Sequence, residues 1–90
     1  MLSYTCTVEG KVTGGNFQSW VQDTARHLGL TGWVRNIADH KAEILLQGDV
    51  EKYAAFREHL LKEAPIVDRG EISCNAIEYD KVHDVFEIRG

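Results

Sequence analysis

Between Val12 and Phe17 the hydrophobic period of this chain changes from two residues to three and four, and the change falls on a glycine pair, Gly14-Gly15. Upstream, Tyr4, Cys6, Val8, Gly10 and Val12 alternate with Thr5, Thr7, Glu9 and Lys11, the pattern of a half-buried strand over residues 4–12. Downstream, Phe17, Trp20, Val21, Thr24, Ala25 and Leu28 recur at helical spacing, and Gly29 follows as a natural helix stop. Glycines reach the positive-φ conformations that turn successive backbone N–H groups to one side. The first turn of a helix adds unpaired N–H groups and a partial positive charge. The stretch from Gly10 to Gln18 therefore has the makings of an anion cradle, and phosphate is the commonest occupant of such cradles. The alternative is a tight strand-to-helix turn that binds nothing, and a glycine pair alone does not decide between them.

The same alternation of periods recurs once more. Gly32 to Ile37 reads as a second strand, Asp39-His40 as a turn, and Ala42, Ile44 and Leu46 as the inner face of a third strand. Trp33 and Leu45 then share the opposite face, close enough to pack across the hairpin. Gly48 ends that strand and Asp49 can cap a second helix, whose apolar stripe is Val50, Tyr53, Ala54, Phe56, Leu60 and Leu61. Pro65, the sole proline, stops the helix. Arg69-Gly70 is a turn, residues 71–79 are a fourth strand with Ile72, Cys74 and Ala76 on one face, and residues 85–88 form a short fifth. The order β-α-β-β-α-β with an extra strand predicts an α+β fold, a ferredoxin-like split βαβ sandwich. Two helices cover one face of an antiparallel sheet of 4–5 strands and leave the other face wetter. Strands one and four are neighbours in that topology, so Cys6 and Cys74 face the same helical layer.

Ninety residues form one domain, residues 1–90, with neither a linker nor an internal repeat. The net charge of −4 disfavours a nucleic-acid partner, which needs a basic surface. No apolar run is long enough to span a bilayer, and residues 1–6 lack the basic and apolar segments of a signal peptide. The expectation is a cytoplasmic monomer with no membrane association. In that compartment the two cysteines are expected to be buried thiols. The four histidines are scattered, without metal-ligand spacing, and read as surface residues; no metal site is expected.

Two segments together resemble the acylphosphatase family. Its first motif, G-R-V-Q-G-V-x-F-R, stands here as Gly10-Lys11-Val12-Thr13-Gly14-Gly15-Asn16-Phe17-Gln18. Its second, G-W-V-x-N then D-G-x-V-E and a glycine, stands as Gly32-Trp33-Val34-Arg35-Asn36, Asp39-His40-Lys41-Ala42-Glu43 and Gly48. The resemblance implies hydrolysis of acyl phosphates to a carboxylate and inorganic phosphate, without metal or organic cofactor. It implies a phosphate-binding loop of Thr13, Gly14, Gly15, Asn16, Phe17 and Gln18, and Asn36 as the residue that orients the attacking water. Its partners are a small acyl phosphate, inorganic phosphate or a similar anion.

The chain departs from the family where the arginine closing the first motif is replaced by Gln18. Phosphoryl transfer depends on positioning and charge stabilisation more than on covalent help. A glutamine amide donates hydrogen bonds but has neither the charge nor the fork of a guanidinium. Loss of one preorganised donor costs about 3 kcal/mol of transition-state stabilisation, a hundred- to a thousand-fold in rate. No other cation stands in by position. Lys11 follows the parity of Thr7 and Glu9 to the outer face, Arg35 opposes Asn36, and Arg26 is two turns into the helix. The expectation is a hydrolase that is weak or inactive, the alternative a non-catalytic anion-binding or protein-interaction module.

Overall fold

A computed structural model describes residues 2–12 and 16–89. Its elements run β1 (Leu2–Glu9), α1 (Asn16–His27), β2 (Thr31–Ala38), β3 (Lys41–Gln47), α2 (Val50–Glu63), β4 (Ile72–Glu78) and β5 (Phe86–Ile88). The strands form one sheet in the order β4-β1-β3-β2-β5. The four long strands pair antiparallel, as the sequence predicts for the split βαβ sandwich. The short β5 differs: it joins β2 in parallel, pairing Gly32 with Phe86 and Val34 with Ile88, so the sheet is mixed.

The core lies between this sheet and the helices. Tyr4, Cys6 and Val8 of β1 meet Val34 of β2 and Ala42, Ile44 and Leu46 of β3. Phe17, Val21 and Ala25 of α1 cover them, with Phe56 and Leu60 of α2 and Phe86 of β5. α1 ends as its sequence requires. Gly29 takes φ +75, Leu30 N–H donates to the Ala25 carbonyl (2.8 Å) and Gly29 N–H to that of Arg26 (3.0 Å). This is the Schellman arrangement, which satisfies carbonyls that an α-helix leaves unpaired. α2 begins with Asp49 accepting from Glu51 N–H at 2.9 Å. Its buried stripe is narrower than the pattern suggests: Phe56 and Leu60 are buried and Tyr53 is half-buried, stacked on Tyr4 at 3.9 Å, but Val50, Ala54 and Leu61 are exposed.

Three expectations need correction. Cys6 and Cys74 lie directly opposite one another on β1 and β4 and form a disulfide, not a pair of free thiols. Strand register makes this bond: the topology sets side by side two side chains that lie 68 residues apart in the chain. The outer face of the sheet is also less open than the topology implies. Gln47 is buried there and donates through Nε2 to Ser3 Oγ (3.0 Å) and the Lys81 carbonyl (2.6 Å). Its Oε1 accepts from His83 N–H (2.8 Å), which holds the chain after β4 across this face. Beside it Trp33 packs opposite Leu45 under two guanidinium groups, Arg35 at 4.8 Å and Arg89 at 5.5 Å from the ring centre. His83 is accordingly half-buried, against the expectation of a surface histidine.

Candidate active site

The ends of three strands and the start of one helix converge at one end of the sandwich. Gly10, at φ +147, ends β1 and donates to the carbonyl of His40 in the β2–β3 turn at 2.9 Å. In β2 a register shift follows Asn36, because Ala38 rather than Ile37 pairs with Lys41. Such a bulge re-aims the strand at its end. Asn36 itself pairs with Ala42 and stays on the helix face, half-buried. Phe17, 1% exposed, anchors the first turn of α1 in the core, and the next residue, Gln18, points inward with 9% exposure.

These placements bring two of the expected site residues together. Gln18 Nε2 donates to Asn36 Oδ1 at 3.4 Å, and Asn36 Nδ2 donates to the Val12 carbonyl at 3.4 Å. The helix start, the end of β2 and the segment entering the glycine loop are thus linked through one asparagine. Both bonds are long, so the amides are held in place without being strongly committed. The Asn36 oxygen also keeps a second lone pair for another donor. Asn16 is exposed at the first position of α1, and the first turn contains no acidic residue that would oppose an anion there. Thr13, Gly14 and Gly15 lie outside the described residues.

The charges around this point are committed elsewhere or set to one side. Arg35 forms an ion pair with Glu43 (2.9 Å) over the Trp33 ring, on the face opposite Asn36. Arg26 donates to the Phe86 carbonyl at 3.2 Å. Both placements agree with their sequence positions. Lys11 does not follow strand parity to the outer face, because β1 ends before it. It bridges to Val67 instead, its N–H donating to the Val67 carbonyl at 2.7 Å. There Lys11 and Asn16 line one groove with Ala64, Pro65, Ile66 and Val67. Nothing in the sequence pattern marks 64–67 as part of this end of the molecule. The pairing of Lys11 with Val67 brings it there. Among the described residues no three His, Cys, Asp or Glu side chains converge to hold a metal ion.

The sequence profile of the acylphosphatase family matches residues 4–88, which spans β1 to β5. The chain belongs to the acylphosphatase family. An acylphosphatase of Nitrosococcus oceani is 31% identical over 84 residues, covering 93% of each chain. The crystal structure of acylphosphatase from Bacillus subtilis superposes with a TM-score of 0.87 at 32% identity over the whole of both chains. The structure of an acylphosphatase from Coxiella burnetii gives 0.84 at 28% identity, over 97% of this chain and 90% of the other. This acylphosphatase-family chain thus carries the ferredoxin-like frame, and among the described residues no helix is long and apolar enough to cross a membrane.

Proposed function

We propose that this protein is an acyl phosphate hydrolase of low turnover. Its phosphate site lies at the start of α1, and its water-orienting residue is Asn36. The observation that supports the reading is the Gln18–Asn36 contact of 3.4 Å, a hydrogen bond between one residue from each of the two motifs. The phosphoryl group would sit against the N–H groups at the helix start, where the dipole favours negative charge. A water held by Asn36 Oδ1 would attack phosphorus as the bond to the acyl oxygen breaks, giving a carboxylate, inorganic phosphate and a proton. The carboxylate is a good leaving group, so in-line positioning supplies most of what the reaction needs. Charge stabilisation is the weak part, because a neutral amide stands where the family has a guanidinium.

A second reading also has an observation in its favour. The Gln18 amide already donates to the Asn36 oxygen that would hold the water. A site so satisfied suits anion binding better than turnover, the behaviour of a non-catalytic module. In either case the partner is a small acyl phosphate, inorganic phosphate or similar anion, and the protein acts as a monomer. The cytoplasmic assignment sits against one feature, the Cys6–Cys74 bond, since glutathione keeps most cytosolic thiols reduced. The redox state of that pair in cells would report the compartment.

Hydrolysis of benzoyl phosphate by the parent, Gln18→Arg and Asn36→Ala separates the two readings. The hydrolase reading expects slow turnover by the parent, a gain of at least about tenfold in kcat/KM for Gln18→Arg, and a loss for Asn36→Ala. Rapid parental turnover unchanged in Asn36→Ala would remove Asn36 from the mechanism. Inert parent and Gln18→Arg proteins whose loop amides still respond to phosphate would establish the binding module.

A further inference from the structure

We infer that the groove between Lys11 and residues 64–67 is the subsite for the acyl group. It would select acyl phosphates whose acyl part is aryl or a medium-length hydrocarbon, with the Lys11 ammonium at the junction of acyl and phosphoryl groups. This rests on the phosphate site proposed above and adds the other half of the substrate.

The position of the groove comes first. Asn16 is both a lining residue of the groove and the first residue of α1, so the groove opens beside the helix start. Its opposite wall is Ala64, Pro65, Ile66 and Val67, four residues without a polar side chain. Val67 is 61% exposed, a large apolar side chain left in water by the fold. Residues directly opposite in an antiparallel bridge project to the same side. The Lys11 and Val67 side chains therefore lie next to each other, away from buried Val12.

The wall is preformed. Ile66 N–H donates to the Ala64 carbonyl at 2.9 Å, closing a three-residue turn around Pro65. Arg69 holds the end of α2, donating to the Leu61 carbonyl and, at 3.1 Å, to that of Ala64. Glu9 N–H donates to Glu71 (2.9 Å), and Gly70 N–H returns a bond to Glu9 (2.8 Å). Gly10 permits this close approach: a Cβ there would lie 2.3 Å from Ile66 Cγ2. These contacts fix an apolar wall against the segment entering the phosphate loop, and pre-organised walls lower the cost of binding.

Size and charge then choose the occupant. The groove encloses about 430 Å³, in the lower part of the range of small-molecule sites. That is much more than an acetyl group fills, and it suits an aromatic ring or a medium-length alkyl chain. Among the described residues no carboxylate forms an ion pair with Lys11. Its charge is free to meet an oxyanion. A cation on a flexible stem beside the site supplies less than a guanidinium at the Gln18 position, because it remains solvated.

The test uses non-hydrolysable analogues, so that it does not depend on turnover. Amide NMR titrations of the intact protein compare inorganic phosphate, acetylphosphonate and benzoylphosphonate, in the parent, Val67→Asn and Lys11→Met. The benzoyl compound is expected to bind at least about fivefold more tightly than the acetyl compound, since apolar pockets discriminate by roughly tenfold or more per methylene when closed and less when open. Amides of Ile66 and Val67 should shift with the benzoyl compound only. Val67→Asn should erase the preference while leaving the affinity for inorganic phosphate unchanged. Lys11→Met should weaken all three anions by about two- to fivefold, with a smaller salt dependence. Benzoyl and acetyl compounds binding equally, or a preference that survives Val67→Asn, would overturn the subsite while leaving the phosphate site standing. If inorganic phosphate shifts no amide between Val12 and Gln18, the phosphate site itself fails, and the subsite with it.

Discussion

Reduction of the Cys6–Cys74 bond should cost this protein a large part of its stability. The bond closes a loop of 68 residues of sequence separation. In the chain-entropy account such a cross-link removes about 15 cal/mol/K from the unfolded ensemble, or about 4 kcal/mol at 25 °C. A domain of this size is stable by only about 5–15 kcal/mol in all. The folded state gives little back on reduction. Cys6 is fully buried between β3 and β4 and packs as a small apolar side chain in either redox state. At roughly 4–8 °C per kcal/mol, the melting temperature should fall by about 15–30 °C. The assay is thermal unfolding followed by far-ultraviolet circular dichroism, with and without a phosphine reductant, beside a Cys6→Ala/Cys74→Ala variant that should melt with the reduced parent. Equal melting temperatures with and without reductant would refute the entropic argument. Free thiols titrating in the native, unreduced protein would refute the pairing itself.

Two further outcomes follow from local geometry. Gly32 sits at φ +135, and a Cβ there would lie 1.9 Å from the Leu45 carbonyl oxygen. Gly32→Ala should therefore cost about 3 kcal/mol or more in urea unfolding, because the obstacle is the backbone of the neighbouring strand and cannot rotate away. Burial against Tyr4 raises the pKa of the Tyr53 phenol above its ordinary 10.0, with Arg57 opposing the shift. The unfolded phenol then ionises first as pH rises, so stability should fall as pH climbs through about 10. A Tyr53→Phe variant should lose less over that interval, measured as urea midpoints.

The fold was legible in the sequence because each element states its own period. The alternation Tyr4–Cys6–Val8 faces the core as written, Asp49 caps α2, and the Trp33–Leu45 pair sits in register. What escaped depends on contacts distant in the chain. Local patterning fixes the parity of Cys6 and Cys74 but not the register that sets them opposite. Gln47 lies on the face opposite Leu46, where strand alternation puts polar residues outward, and it is buried because the segment after β4 supplies partners for its amide. At the site, the two motifs named Gln18 and Asn36, and the structure brings them to 3.4 Å. Strand parity does not reach Lys11, because β1 stops at Glu9 and Lys11 pairs with Val67 instead. The wall at 64–67 carries no chemical signature at all; its residues are simply apolar.

The strand order has a consequence for how the chain is made. β1 leaves the ribosome first, yet it lies inside the sheet between β3 and β4. Its pairing with β3 can form once residue 47 has emerged, but its other edge waits for β4, completed at Glu78. α1 waits longer, since Phe86 fills the core beside it and the Phe86 carbonyl receives Gln22 and Arg26. Until β4 has emerged, the nascent chain therefore presents an unpaired edge of alternating apolar residues, a template for mispairing with another copy. Long-range pairing also slows folding. The same topology that brings the ends of β1, β2 and β3 together thus leaves an aggregation-prone edge open until the last long strand docks.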